Sequence, residues 1–208
     1  MAKFTPDTKK ELKALVKDEA IHLGDIDTSN ITDMSDLFFK STRTDFSGIE
    51  KWDVSSVEDM SYMFADCHSF NQDISGWDVR NVKNMSWMFY NCKKFNQPLN
   101  DWDVRNIKDM SCIFLGCKTF NQDLSSWDIS NVENMEDMFE NCPIDNSNKP
   151  SQEQSSVKKN KLQRIIMAKF IPDTKEELKA LVKDEAIHLG DIDTSKITDM
   201  SELFLYSK

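Results

Sequence analysis

Two hydrophobic patterns alternate along the middle of the chain. In residues 74–79 the apolar residues Ile74, Trp77 and Val79 are separated by polar residues, a pattern typical of a short strand. In the stretch that follows, apolar residues recur at offsets of three, six, seven and ten: Val82, Met85, Met88, Phe89 and Cys92. This spacing forms one stripe of a helix, so the pattern predicts a strand followed by a short helix.

The strand-helix unit recurs with a constant period. Trp-Asp pairs begin at residues 52, 77, 102 and 127, and a cysteine closes each unit at residues 67, 92, 117 and 142, so both series have a period of 25. The unit runs from Trp52 to Cys142 without insertion. Such regularity predicts an α/β solenoid of strand-helix rungs, in which each rung contacts only its neighbours.

The fixed apolar positions of the unit predict buried ladders. Stacking the rungs at about 5 Å, the strand spacing of a sheet, would bring equivalent side chains into contact. Two of these ladders are aromatic and consist of Trp52, Trp77, Trp102 and Trp127, and of Phe64, Phe89, Phe114 and Phe139. We expect these residues to be structural, because buried aromatic side chains contribute strongly to stability.

Two other columns bear on metal and redox chemistry. Asp53, Asp78, Asp103 and Asp128 would stack as carboxylates, which repel one another unless they cap local backbone N–H groups or share a cation such as calcium. Local capping is favoured, because the unit lacks the Gly-Asp loops of calcium-binding repeats. The five cysteines include no C-x-x-C pair, so we expect reduced thiols, no metal site and no cofactor.

The two ends of the chain are related in sequence. Residues 1–24 predict an amphipathic cap helix, in which Thr8 and Glu11 form a capping box, and a degenerate first repeat follows it. The repeats occupy 25–142, and the polar stretch 143–166 is typical of a linker. Residues 167–208 duplicate the cap and half a repeat, with 35 of 42 positions identical to 1–42.

Composition narrows the function classes. The net charge of −10 argues against nucleic-acid binding, which depends on clustered Lys and Arg. No apolar run approaches the ~20 residues of a membrane span, so we expect no transmembrane helix. The first residues offer no apolar signal region, which favours a cytoplasmic location.

The motif W-D-V-x-N-V-x-N-M-x-x-M-F-x-x-C and the preceding F-N-Q-D together resemble the BspA-family leucine-rich repeat proteins of bacteria, in a branch of unknown function. The resemblance covers residues 25–142 and implies a right-handed, leucine-rich-repeat-like solenoid. For exported members it also implies a cell-surface role in adhesion and partner contact. Cell-surface display is therefore the alternative to a cytoplasmic location.

In a repeat protein, recognition is expected where the unit varies. One variable face carries the apolar and aromatic residues Tyr62, Trp87, Tyr90 and Leu115, a composition favoured at binding hot spots. The alternative is that these residues pack under the cap or the linker. A second variable face places the cations Arg80, Lys83, Arg105 and Lys108 on the middle repeats, where they could bind an acidic partner or form a solvated charged face.

These features predict a non-catalytic protein-interaction or adhesion module. The sequence has no nucleophile elbow, phosphate loop or metal triad, so we do not expect an enzyme. The alternative is a self-associating or recombination-derived repeat fragment without independent activity. Self-association would use the open end of the solenoid after Cys142, where a Trp and Phe cross-section is expected to be exposed.

Overall fold

The computed structural model describes residues 3–151. This part of the chain contains one α-helix, α1 (Lys9–Lys17), and three short 3₁₀ helices at Leu23–Asp25, Ile49–Lys51 and Asn146–Asn148. Among the same residues there is no β-strand, only isolated parallel bridges. The predicted strand-helix solenoid is therefore wrong: the repeats form neither the strand nor the helix that the hydrophobic pattern indicates.

Helix α1 begins with the predicted capping box. The Glu11 N–H donates to the Thr8 hydroxyl at 3.2 Å, and the Glu11 carboxylate accepts from the Thr8 N–H at the same distance. Leu12 and Val16 bury the apolar face of α1. The helix ends at Lys17, earlier than expected, and the buried Arg43 guanidinium donates to carbonyls at and beyond its end, including Val16 at 3.2 Å.

After α1, the chain winds through five stacked rungs, each defined as one repeat. They span 26–51, 52–76, 77–101, 102–126 and 127–151. Single parallel bridges join equivalent residues of adjacent rungs: Asp33, Asp59, Asn84, Asp109 and Asn134. The first step is 26 residues and the others are 25, as the sequence period requires.

The stretch predicted as a helix is a succession of turns that share their hydrogen bonds with the next rung. In rung 3, Met85, Trp87, Phe89 and Asn91 donate their N–H groups to carbonyls of rung 4 at 2.8–3.0 Å. The alternate residues donate three positions back, as Met88 does to Met85 at 3.2 Å. An α-helix requires every N–H to bond four residues back, so alternate donation between rungs excludes it.

Left-handed backbone conformations also interrupt any helix. Two residues of each rung, four positions apart, have a positive φ. They form the columns Asp36, Tyr62, Trp87, Cys112 and Asp137, and Lys40, Asp66, Asn91, Gly116 and Asn141. L-residues adopt this conformation only as isolated residues, at a cost of about 1–2 kcal/mol each. The apolar stripe arises because successive three-residue turns also bring every third or fourth side chain to the interior.

Aromatic columns fill the interior of the stack. The rings of Phe38, Phe64, Phe89, Phe114 and Phe139 follow one another at 5.5–5.8 Å with planes within 10° of parallel. Trp52, Trp77, Trp102 and Trp127 are buried, and each donates its indole N–H at 2.9–3.2 Å to the carbonyl of a residue 28 or 29 positions earlier in the chain. Both sets expected as structural ladders thus lie in the core.

Candidate interaction surface

A row of aromatic rings lies on the outside of rungs 1 to 3. Phe39 meets Tyr62 edge-on at 6.3 Å, Tyr62 stacks on Trp87 at 5.6 Å, and Trp87 meets Tyr90 edge-on at 5.0 Å. Phe39 and Tyr62 are 44% and 39% exposed, and the other two are half-buried. We call these four residues the aromatic ridge. Leu115 lies half-buried in the register of Tyr90, one rung further on.

Phe39 is the ridge residue that the sequence reasoning missed. It occupies the register of Tyr90 and Leu115, but the first step between rungs is 26 residues, so a strict period of 25 does not find it. Applying that offset to Ala65 locates Phe39. The structure thus extends the predicted apolar face into rung 1, next to α1.

The ridge residues Tyr62 and Trp87 have a left-handed backbone. Their φ angles are 57° and 61°, a region that bulky side chains rarely adopt. The Tyr62 N–H donates to Ser86 at 3.0 Å and the Trp87 N–H to Ser111 at 2.9 Å, so the stack holds this conformation. One exposed and one half-buried ring are therefore kept at positions whose backbone conformation bulky side chains rarely adopt.

Acidic residues occupy the registers of the ridge in rung 1 and in rung 5, and the two sets differ in their ion pairing. Asp36 in rung 1 is bound by Lys13 of α1. In rung 5, Glu136, Asp137 and Glu140 are exposed, and none of them forms an ion pair within residues 3–151. Cys112 lies between Trp87 and this acidic end. Burial, reinforced by Asp137 and Glu136, raises the pKa of its thiol to about 11.

The predicted cationic face is neutralised by neighbouring carboxylates. Arg80 and Arg105 each form an ion pair with the aspartate two residues earlier at 2.7 Å, Lys83 pairs with Glu58 at 2.7 Å, and Lys108 pairs with Glu133 at 3.2 Å. The hydrogen bonds from Arg105 lower the pKa of Asp103 to about 2. All four cations are occupied, so this face offers little net positive charge to an acidic partner.

The aspartate column caps local backbone groups. The carboxylates of Asp53, Asp78, Asp103 and Asp128 each accept a hydrogen bond from the N–H two residues later at 2.9–3.3 Å. This arrangement is an Asx turn, in which the carboxylate needs no shared cation. Within the described residues no group of three or more metal-ligating side chains converges.

The cysteine column is buried and weakly acidic. The thiols of Cys67, Cys92 and Cys117 donate to phenylalanine carbonyls of the preceding rung at 2.8–3.0 Å. Burial raises the pKa of Cys67 to about 12, which disfavours the reactive thiolate. All five cysteines are free thiols.

Rung 5 is the last rung among residues 3–151, and its backbone donors lack partners within this part of the chain. The N–H groups of Met135, Asp137, Phe139 and Asn141 have no backbone acceptor among residues 3–151. Their counterparts in rung 4 all donate to rung 5, as Met110 does to Asn134 at 2.8 Å. We call these four donors the donor edge.

The apolar end of rung 5 differs from the exposed aromatic cross-section that the sequence predicts. Trp127 is 2% exposed and Phe139 is 8% exposed, and the Lys149 ammonium lies 5.4 Å from the centre of the Phe139 ring. Met135 is half-buried, whereas its counterparts in the inner rungs are fully buried. Within the described residues, the far side of rung 5 therefore carries four backbone donors without an acceptor and a partly exposed apolar rim.

The sequence of the repeats matches a family model. The family described as "Mycoplasma protein of unknown function, DUF285" matches residues 10–115 and 93–170, which together span more than half of the chain. The chain belongs to the DUF285 family. No curated protein and no solved structure matches this DUF285 chain significantly.

The match shows that the chain belongs to a repeat family of unknown function. This statement is coarser than the predicted relationship to the BspA family. Within residues 3–151 of this DUF285 member, no helix is long and apolar enough to cross a membrane. The predicted copy at 167–208 and most of the predicted linker at 143–166 lie outside the described residues.

Proposed function

We propose that this DUF285 protein is a non-catalytic protein-interaction module and that the aromatic ridge is its binding surface. The observation that carries the proposal is the exposure of contiguous rings on rungs 1 to 3. Tyr and Trp are enriched at interaction hot spots because they bury much area at low entropic cost. Adhesion, the role implied by the BspA resemblance, would be one form of this interaction.

The acidic end of the ridge narrows the chemistry of the partner. Glu136, Asp137 and Glu140 form no ion pair within the described residues, whereas Asp36 at the other end is neutralised by Lys13. A partner with an apolar stripe and a cationic end would complement both features. Charge complementarity of this kind fixes the direction in which a partner lies along a surface.

A ridge variant with a matched control tests this function. The full chain, the double variant Tyr62→Ser/Trp87→Ser and the control Lys83→Ser/Lys108→Ser are immobilised and exposed to the same cell extract. We expect the wild type and the control to retain the same set of proteins from the extract. The ridge variant should not retain these proteins. Equal retention by all three chains contradicts the proposal, provided that circular dichroism shows the variants to be folded.

A second candidate function is self-association through the end of rung 5. The specific observation in its favour is the donor edge, because unpaired backbone donors at the end of a stack can pair with another chain. Light scattering over a range of protein concentrations tests it. We expect a rise in mass with concentration for the wild type and for Tyr62→Ser, and a constant monomer mass for Met135→Asp, which places a charge on the apolar rim.

A further inference from the structure

The hydrogen bonds between the inner rungs show what kind of segment can bind to the donor edge. Each turn segment donates to the carbonyls of alternate residues in the next rung, as rung 3 donates to Asp109, Ser111, Ile113 and Leu115. An occupant of the donor edge must therefore supply four carbonyls at alternate residues. It must also place apolar side chains over Val132, Met135 and Phe139. The four N–H groups of one donor edge cannot bond to those of another, so this edge requires a segment that supplies carbonyls.

Rung 1 has the complementary acceptors. The carbonyls of Asp33, Ser35, Leu37 and Phe39 accept no backbone hydrogen bond within residues 3–151. In the described part of the chain, α1 packs beside these groups, with Lys9 bound to Asp33 at 3.1 Å. A rung with this sequence is thus chemically suited to follow rung 5.

The chain contains the rung 1 sequence a second time. Residues 192–205 read I-D-T-S-K-I-T-D-M-S-E-L-F-L, where residues 26–39 read I-D-T-S-N-I-T-D-M-S-D-L-F-F. Residues 192–205 lie outside the described residues. Each chain therefore has one donor edge and one additional acceptor sequence, which is the stoichiometry of a head-to-tail assembly.

We propose that residues 192–205 of a second copy of the chain dock on the donor edge as a sixth rung. This inference rests on the proposed self-association, and it specifies which segment binds to the donor edge and in which register. In the register of rungs 1 and 2, Met200 lies over Met135 and Phe204 over Phe139. The carbonyls of Asp199, Ser201, Leu203 and Leu205 then accept from the four open donors.

The same register predicts an effect of salt. Glu202 occupies the column of Asp36 and so lies next to Asp137 of the receiving chain. Like charges at this spacing repel, and salt screens the repulsion because both groups are at the surface. Association should therefore strengthen as the ionic strength rises, and Glu202→Gln should remove part of this dependence.

A single introduced thiol tests the occupant and the register. Ser41 in rung 1 is the counterpart of Cys67, so Ser207 in the second copy of the sequence would be the neighbour of Cys142. Stacked positions lie within the Cα separation that a disulfide spans. The full chain carrying Ser207→Cys is oxidised mildly, and Ser201→Cys, which falls in the column of Ser111 and Glu136, is the matched control.

We expect Ser207→Cys to form reducible covalent dimers and longer species, several-fold more than wild type or Ser201→Cys, with the crosslink mapped to Cys142. A disulfide formed only within one chain, or no excess over the control, overturns the proposed occupant. Self-association itself is judged separately from the mass of the unoxidised chains. If that mass rises with concentration and Met135→Asp abolishes the rise, self-association stands even when the crosslink fails.

Discussion

Two aromatic stacks run through this protein only two residues apart in sequence. Phe64 and Phe89 stack inside the rungs at 5.8 Å with planes 6° apart, and Tyr62 and Trp87 stack outside them at 5.6 Å with the same angle. The interior pair is fully buried, whereas Tyr62 is 39% exposed. The rung spacing alone therefore produces both stacks, and burial distinguishes them.

The difference shows which positions the repeat constrains. The interior column has phenylalanine in all five rungs, because only a flat ring of constant size fills each layer. The outer column changes from Asp36 to Tyr62, Trp87, Cys112 and Asp137. Its shared feature is the left-handed backbone, so the fold fixes the conformation there and leaves the side chain to other requirements.

The largest expected effect is a difference in stability between a variant of the inner stack and a variant of the outer stack. Phe89→Ala should lower the free energy of unfolding by about 3–5 kcal/mol, because it opens a cavity between buried rings. Trp87→Ala should cost about 1 kcal/mol, because the half-buried Trp87 ring loses mainly its stacking contacts. Urea denaturation of both variants measures the difference, and equal losses would show that the outer stack is part of the core.

The sequence predicts the layers of this fold better than the path of the backbone. The 25-residue period, the longer first step and the buried Trp and Phe columns follow from repeat spacing and hydrophobicity. The hydrophobic pattern does not predict the turns, because apolar residues three, four and seven positions apart are compatible with both a helix and successive turns. The column Asp66, Asn91, Gly116 and Asn141 contains the residue types that tolerate a left-handed backbone and signals the turns.

The contacts on the surface can be predicted only in part from the sequence, for a related reason. Register alone brings Tyr62, Trp87 and Tyr90 together, as the structure places them. Register does not reveal that Arg80 turns back to Asp78, since side-chain rotamers decide that pairing. The donor edge is also hidden, because a hydrophobic pattern does not show which backbone donors pair between rungs.

The left-handed backbone of the outer columns can be tested with two glycines. Gly116 has a φ of 76°, and an added Cβ would lie 2.8 Å from the Asn91 side-chain oxygen, so Gly116→Ala should destabilise the protein by about 1–2 kcal/mol. Gly76 has open space around it, and Gly76→Ala should change stability by less than about 0.5 kcal/mol. Thermal unfolding compares them, and a neutral Gly116→Ala would contradict the turn geometry.

An asparagine ladder keeps both aromatic stacks in register. The Asn96 side-chain oxygen accepts from the Asn121 N–H at 3.0 Å and from Gln122 at 3.0 Å. Asn96→Ala should therefore cost about 1 kcal/mol in the free energy of unfolding, as expected for lost hydrogen bonds. Among the described residues, the Asn100 side chain hydrogen-bonds only to its neighbour Asp101, so Asn100→Ala provides the control. Identical denaturation midpoints for the two variants would show that the ladder does not hold the rungs.

The smallest expected effect concerns the charges on the outside of the rungs. Hydrogen bonds from Arg105 lower the pKa of Asp103 from 3.8 to about 2, so the folded state favours the ionised carboxylate. A lowered folded-state pKa gives stability that is present above pH 4 and is lost as the pH falls toward 2. The contribution should stay below about 1 kcal/mol, because the ion pair is exposed to solvent. Asp103→Asn and Arg105→Gln should both flatten the stability profile in this window, as measured by urea denaturation at several pH values. Profiles parallel to that of the wild type would show that the outer charges, unlike the inner rings, do not contribute to holding the rungs together.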